Sequence, residues 1–241
     1  MSSLRIRGFA FAAAAAVMFA ASPATQAALA ERFEVTSIKA VRPTLVSTIN
    51  ALQAHDAKKA KAAFDDYDTA WNGIEVYINT RSKEMYDSIE HHYQADIEKA
   101  LAAPNPDTNA VLTEARAMLT EFDKAIDMVS KAKPLNPKYD DVAQLRIVRS
   151  PLRKVAPALK AGDLAKARDS FNKFNDKWDS IEDLVKERSA DGYTAIESTM
   201  IKLERALMAD RPNEVEVEQL VTGIMRPYNE ALAQVVKDAR G

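Results

Sequence analysis

The chain of 241 residues contains no cysteine, which excludes a disulfide framework, a thiolate metal centre and a cysteine nucleophile. Glycine is scarce at six residues, and none of the six sits in a phosphate-cradling loop or a G-x-S-x-G elbow. There is no H-E-x-x-H, and three histidines, His55, His91 and His92, leave little material for acid–base chemistry. No catalytic constellation emerges, so an enzyme is not expected. Excess charge of either sign is missing too, with Lys+Arg 33 against Asp+Glu 35. Such a mixed surface argues against a nucleic-acid partner.

The longest apolar run, Gly8 to Ala21, is shorter than the roughly 20 residues a membrane helix needs. It follows two arginines, Arg5 and Arg7, and precedes small residues and an A-x-A site at Ala28, Leu29 and Ala30. This is the pattern of a secretory signal peptide, 1–30, cut after Ala30 or after Ala27. Arg5 and Arg7 are not adjacent, so a twin-arginine route is not indicated, and without cysteine there is no lipoprotein anchor. The expectation is a periplasmic protein that is not embedded in the membrane.

What is abundant is internal similarity. Phe64, Trp71, Ile74, Glu75, Arg81, Ser82, Tyr86, Ile89 and Glu90 recur as Phe171, Trp178, Ile181, Glu182, Arg188, Ser189, Tyr193, Ile196 and Glu197, always 107 residues later. Further on the spacing drops by one, so that Leu101 matches Leu207 and Phe122 matches Tyr228. A repeat of this length is read as one supersecondary unit written twice. The copies are 31–135 and 136–241, jointed at Pro134-Leu135-Asn136-Pro137.

Within each copy the apolar period is helical. Phe64, Tyr67, Trp71, Ile74 and Ile78 step by three and four, as do Tyr86, Ile89, Tyr93 and Ile97, and as do Val111, Ala115, Met118 or Leu119, Phe122, Ile126 and Val129. A stripe from Ile38 to Leu52 opens the unit, with Pro43 expected to kink or restart it. In the second copy Ser150-Pro151 reads as an N-cap followed by the first helical residue. The expected fold is therefore all-α, a tandem duplication of a four-helix unit, about eight helices in all. Breaks fall near 55, 81 and 104–107. Ala161-Gly162-Asp163 reads as a left-handed glycine and an Asp N-cap. His55 takes the glycine's place in the first copy, in a conformation where histidine is enriched. Ser82 and Ser189 read as N-caps.

Both tryptophans lie on apolar stripes and belong to the core. The glutamates that directly follow core isoleucines are different. Glu75 and Glu90, and again Glu182 and Glu197, border the buried stripe on two helices of a hairpin. Their offset along the hairpin is about three residues, roughly 4.5 Å. Two carboxylates on facing helices are how bundles hold hard cations, and Asp179 or water would complete the shell. The competing reading is a boundary residue or half of an ion pair, with Arg81 or Arg188 as partner. His91 and His92 stand beside Glu90 but are replaced by Ser198 and Thr199, which favours a surface role. Haem ligation would need a histidine on an apolar stripe, and none of the three lies on one.

The segments WNGIE, RS and YDSIE between Tyr67 and Leu101, with their partners WDSIE, RS and YTAIE, resemble the extracytoplasmic helical region of bacterial high-affinity iron permeases. In that family an aromatic-Glu-Pro-x-Glu step precedes an Arg-Asp turn and an Ile-Glu helix. Asn72 stands where the family has its first acid, while Asp179 keeps one beside Glu182, and Gly73 and Ser180 replace the proline. No Arg-Glu-x-x-Glu membrane helix accompanies the segments. The resemblance implies a free-standing relative that binds iron or another hard cation near a membrane iron permease or other envelope protein. The rival expectation is a structural or adaptor module that holds a protein partner in a helical groove between the copies.

Overall fold

The computed structural model describes residues 31–241, and the expected signal peptide lies outside the described residues. Every regular element among them is helical. The first half comprises α1 (Phe33–Gln53), α2 (Ala57–Asn79), α3 (Lys83–Asp87), a π-helical turn (Ser88–Gln94), α4 (Ala95–Leu101) and α5 (Thr108–Lys131). The second half comprises α6 (Lys138–Lys160), α7 (Leu164–Trp178), α8 (Glu182–Lys186), α9 (Ala190–Met208) and α10 (Glu214–Arg240).

The breaks follow from local chemistry. His55, with φ of 56°, and Gly162, with φ of 78°, both take the left-handed conformation that ends a helix. His55 also accepts or donates a 2.9 Å hydrogen bond with Thr108 Oγ1, which ties the turn to the start of α5. Asp56 and Asp163 then cap α2 and α7 by accepting from the backbone N–H of Lys59 and Lys166, each at 2.9 Å. Ser82 and Ser189 accept from Met85 N and Gly192 N. Each cap satisfies a donor that the first helical turn leaves open.

Three expectations need correction. α1 runs through Pro43 without restarting, and Pro43 lies on its exposed face. α6 starts at Lys138, so Ser150 is a buried mid-helix residue and not an N-cap; Pro151 and Pro157 both lie inside that helix. In the second half the rod that begins at Leu164 breaks after Trp178, where Ser180 Oγ donates to Lys177 O at 2.6 Å and competes with the helical ladder. Asn72-Gly73 at the matching place lets α2 continue.

The drop in repeat spacing has a structural counterpart. One extra residue between Glu90 and Leu101 would rotate everything after it by about 100° in an α-helix. The π turn absorbs one residue locally. Ile89 and Ile97 therefore both stay fully buried, as Ile196 and Leu203 do in the uninterrupted α9.

Each half has its own core. Ile38, Leu45, Phe64, Trp71, Ile89 and Phe122 belong to the first, and Leu152, Phe171, Trp178, Ile196, Leu203 and Tyr228 to the second. Val76 and Tyr139 pack against both, where α2 lies on α6. A glycine allows that approach: a Cβ on Gly73 would stand 2.1 Å from Ile147 Cγ1. Gly73→Ala is expected to push the two helices apart at a loss of about 1–3 kcal/mol, as overpacking does. Urea unfolding checks it, and a midpoint equal to wild type would show that Ile147 simply moves aside.

Candidate functional site

The site is built where the α2 rod and the rod of α3, π turn and α4 face each other. Trp71 Nε1 donates to Glu90 Oε2. In the second half Trp178 Nε1 donates to Glu197 Oε1. A tyrosine from the same rod as the glutamate stacks on each indole: Trp71 and Tyr86 are 6.3 Å apart at 12°, and Trp178 and Tyr193 are 6.3 Å apart at 13°. The Trp71–Glu90–Tyr86 and Trp178–Glu197–Tyr193 groups thus have matching contacts. A buried indole N–H needs an acceptor, and a half-buried carboxylate needs a donor, so each residue satisfies the other. Each glutamate keeps its second oxygen for another partner.

The second glutamate of each pair comes close as well. Burial, then Glu75, then Glu90 push the Tyr86 phenol up to about 12. Partial desolvation, then Glu182 and Glu197, raise Tyr193. Both carboxylates of a pair therefore act on one tyrosine. Burial raises Glu75 against the pull of Arg146, and Glu90 adds to the rise. Burial also raises Glu90, opposed by the Trp71 N–H.

The halves differ in what balances these charges. Arg146 of α6 reaches across the junction to Glu75 at 2.5 Å, at the wall of a cleft of about 390 Å³ that also contains Tyr86, Tyr139 and Arg240. Arg149 and Arg153 stand near enough to pull Glu75 down further. Among the described residues neither Glu182 nor Glu197 forms an ion pair. Arg81 and Arg188, the expected partners, are engaged elsewhere: Arg81 with Glu34 at 2.6 Å, and Arg188 with Glu187 at 2.8 Å and Asp238 at 3.5 Å. The reason is that both arginines sit at helix ends, pointing away from the middle of the hairpin.

Asp179 is exposed at the C-terminal end of α7, and nothing ties it to the Glu182–Glu197 pair. His91 and His92 are exposed, with His91 only 3.8 Å from Asp87. No group of three or more His, Asp or Glu side chains converges among the described residues. A cation here would take two carboxylates and would need phenol, amide or water oxygens to complete its shell.

Sequence reasoning missed a second rung of the same ladder. Gln94 Nε2 donates to Asp68 Oδ1 at 3.1 Å, one turn beyond the Trp71–Glu90 bond. Asn72 Nδ2 also donates to Asp68, and Lys154 Nζ lies 3.7 Å from it. Gln94 corresponds to the apolar Met200 once the spacing drops to 106, which was the available signal.

Among the described residues no helix is long and apolar enough to cross a membrane. Comparison with family models, with curated proteins and with solved structures finds no match for this chain.

Proposed function

We propose that this chain is an exported, non-catalytic helical protein that binds hard metal cations, iron foremost, in the periplasm and presents them to a membrane permease or another envelope component. The observation that carries the reading is the repeated pair of glutamates acting on one tyrosine, with one glutamate of each pair held by an indole N–H. Ligating carboxylates are commonly oriented by such outer hydrogen bonds, and all-oxygen donors suit hard cations. The Glu182–Glu197 pair is the better candidate, because Arg146 already neutralises Glu75. The likeness of WNGIE and WDSIE to the iron-permease segments adds the metal.

Calorimetric titration with citrate-chelated ferric iron tests it. Wild type is expected to bind, and the double variant Glu182→Gln, Glu197→Gln to lose at least about tenfold in affinity, since each ligand replaced removes a charged oxygen. Binding should weaken as pH falls from about 7 to 4, because ligating carboxylates must be ionised. At the first-half pair the loss sets in at higher pH, since burial raises both Glu75 and Glu90. Equal binding by wild type and the double variant would refute the role given to these glutamates.

A second reading, a module that holds a protein partner, draws on Ile201, Met208 and Val215. They are exposed apolar residues of α9 and the start of α10, and Ile201 and Met208 share one helix face. The junction between the halves is lined by charged side chains such as Lys58, Asp65, Lys154 and Lys166, so a partner would use α9 and not the groove between the copies. This reading stands if wild type binds no metal.

A further inference from the structure

We infer that the first half contains an internal oxygen-lined site at the π turn, formed by Tyr67, Asp68, Glu90 and Gln94, that takes a small hard divalent cation.

Tyr67 is fully buried, and its hydroxyl has no hydrogen-bond partner from the protein. Gln94 is 4% exposed, and its side-chain oxygen has no partner either. The amide orientation is fixed, because its nitrogen must face the acceptor Asp68 Oδ1. An unpartnered buried polar atom is destabilising by about 1–3 kcal/mol, and two of them flank the same two carboxylates. Tyr67 stacks on Trp71 with ring centroids 6.1 Å apart, the indole that holds Glu90, and it directly precedes Asp68; burial, then Glu90, then Asp68 raise its phenol. Glu90 contributes the oxygen that Trp71 leaves free. The four residues offer oxygens, two of them anionic, and a cation would compete with Lys154, 3.7 Å away, for Asp68 Oδ2. A cation satisfies the lone acceptor of Gln94 and the carboxylates together. The phenol bonds to it as a neutral oxygen or donates to Glu90.

The second half is the built-in control. Phe174 stands at the place of Tyr67 and Asn175 at that of Asp68; Met200, also buried, stands at that of Gln94 once the dropped residue is counted. Only the Trp178–Glu197 rung remains, and the helix there has no π turn. The polar groups and the π turn therefore occur together, in the half where the extra residue turns Gln94 inward. π turns of one inserted residue are frequent at functional sites. This inference shares only Glu90 with the proposed function and stands on different ligands.

The test titrates the full chain, purified metal-free, with Mn²⁺, and soaks crystals in the same ion for an anomalous peak. Tyr67→Phe, Gln94→Met imports residues that already pack in the second half, and Asp68→Asn imports its amide. Wild type should bind one more Mn²⁺ than Tyr67→Phe, Gln94→Met, or bind it at least tenfold more tightly. Asp68→Asn should weaken it by a similar factor. The Glu182→Gln, Glu197→Gln variant should keep this site. Mn²⁺ binding unchanged in both first-half variants, or a peak-free site holding water only, overturns the inference. Failure here with ferric binding intact leaves the proposed function standing, and the reverse result sinks only the Glu182–Glu197 reading.

Discussion

Arg81→Met is expected to destabilise the protein by about 3–5 kcal/mol, the range for breaking a buried ion pair from one side. Arg81 and Glu34 side chains are 8% and 5% exposed, and their atoms meet at 2.6 Å. Arg81 also donates to Tyr77 O and Lys133 O, each at 3.0 Å, so one guanidinium joins the start of α1, the end of α2 and the chain after α5. Removing it leaves Glu34 with Arg32 alone, at 2.9 Å. Glu34→Gln should be milder, about 1–3 kcal/mol, because both arginines retain carbonyl acceptors. Urea unfolding followed by circular dichroism measures both. A loss under about 1 kcal/mol for Arg81→Met would mean that water replaces the guanidinium.

Truncating either tryptophan should have a comparable effect. Trp71 and Trp178 are buried at 0% and 2% exposure, and Trp→Ala in a core is destabilising by about 3–5 kcal/mol. Trp71→Ala also strands Glu90 beside Asp68, and Trp178→Ala strands Glu197. Trp71→Phe separates the two effects, since it keeps an aromatic ring and removes only the N–H and part of the volume. Because the chain has two tryptophans, each single variant leaves one fluorophore that reports the other half. If fluorescence and circular dichroism give coincident transitions, the halves unfold as one cooperative unit. An unchanged melt for both alanine variants would contradict the core assignment.

How far the sequence was legible depends on the range of the interaction. Helical periodicity, the caps at Asp163, Ser82 and Ser189, and the left-handed His55 were all readable, because each is decided by a few neighbouring residues. The drop in spacing after Glu90 was visible as a lost match, though its form as a π turn was not. Trp71 and Trp178 were readable as core. Their hydrogen bonds to Glu90 and Glu197 were not, because a stripe pattern shows which face is buried and not which polar atoms cross between helices. Arg146 on Glu75 was beyond reach for the same reason: it is 71 residues away, and its approach depends on how α6 docks against Gly73. Pro151 misled because tertiary packing holds α6 together around a residue that local rules place at a helix start.

Arg32 carries a consequence for the order in which the molecule can assemble. Its guanidinium donates to Val129 O, Ser130 O and Ala132 O at 2.7–3.0 Å, acting as the C-terminal cap of α5 from 100 residues upstream. Chains emerge from the ribosome N-terminus first, so α1 waits for the last residues of α5 before its own beginning is anchored. Asn136 repeats the arrangement by donating to Ala239 O at 3.2 Å, across 103 residues. Each half is thus a loop closed by its final turn. The apolar faces of each half are therefore held closed by a contact between its first residues and its last.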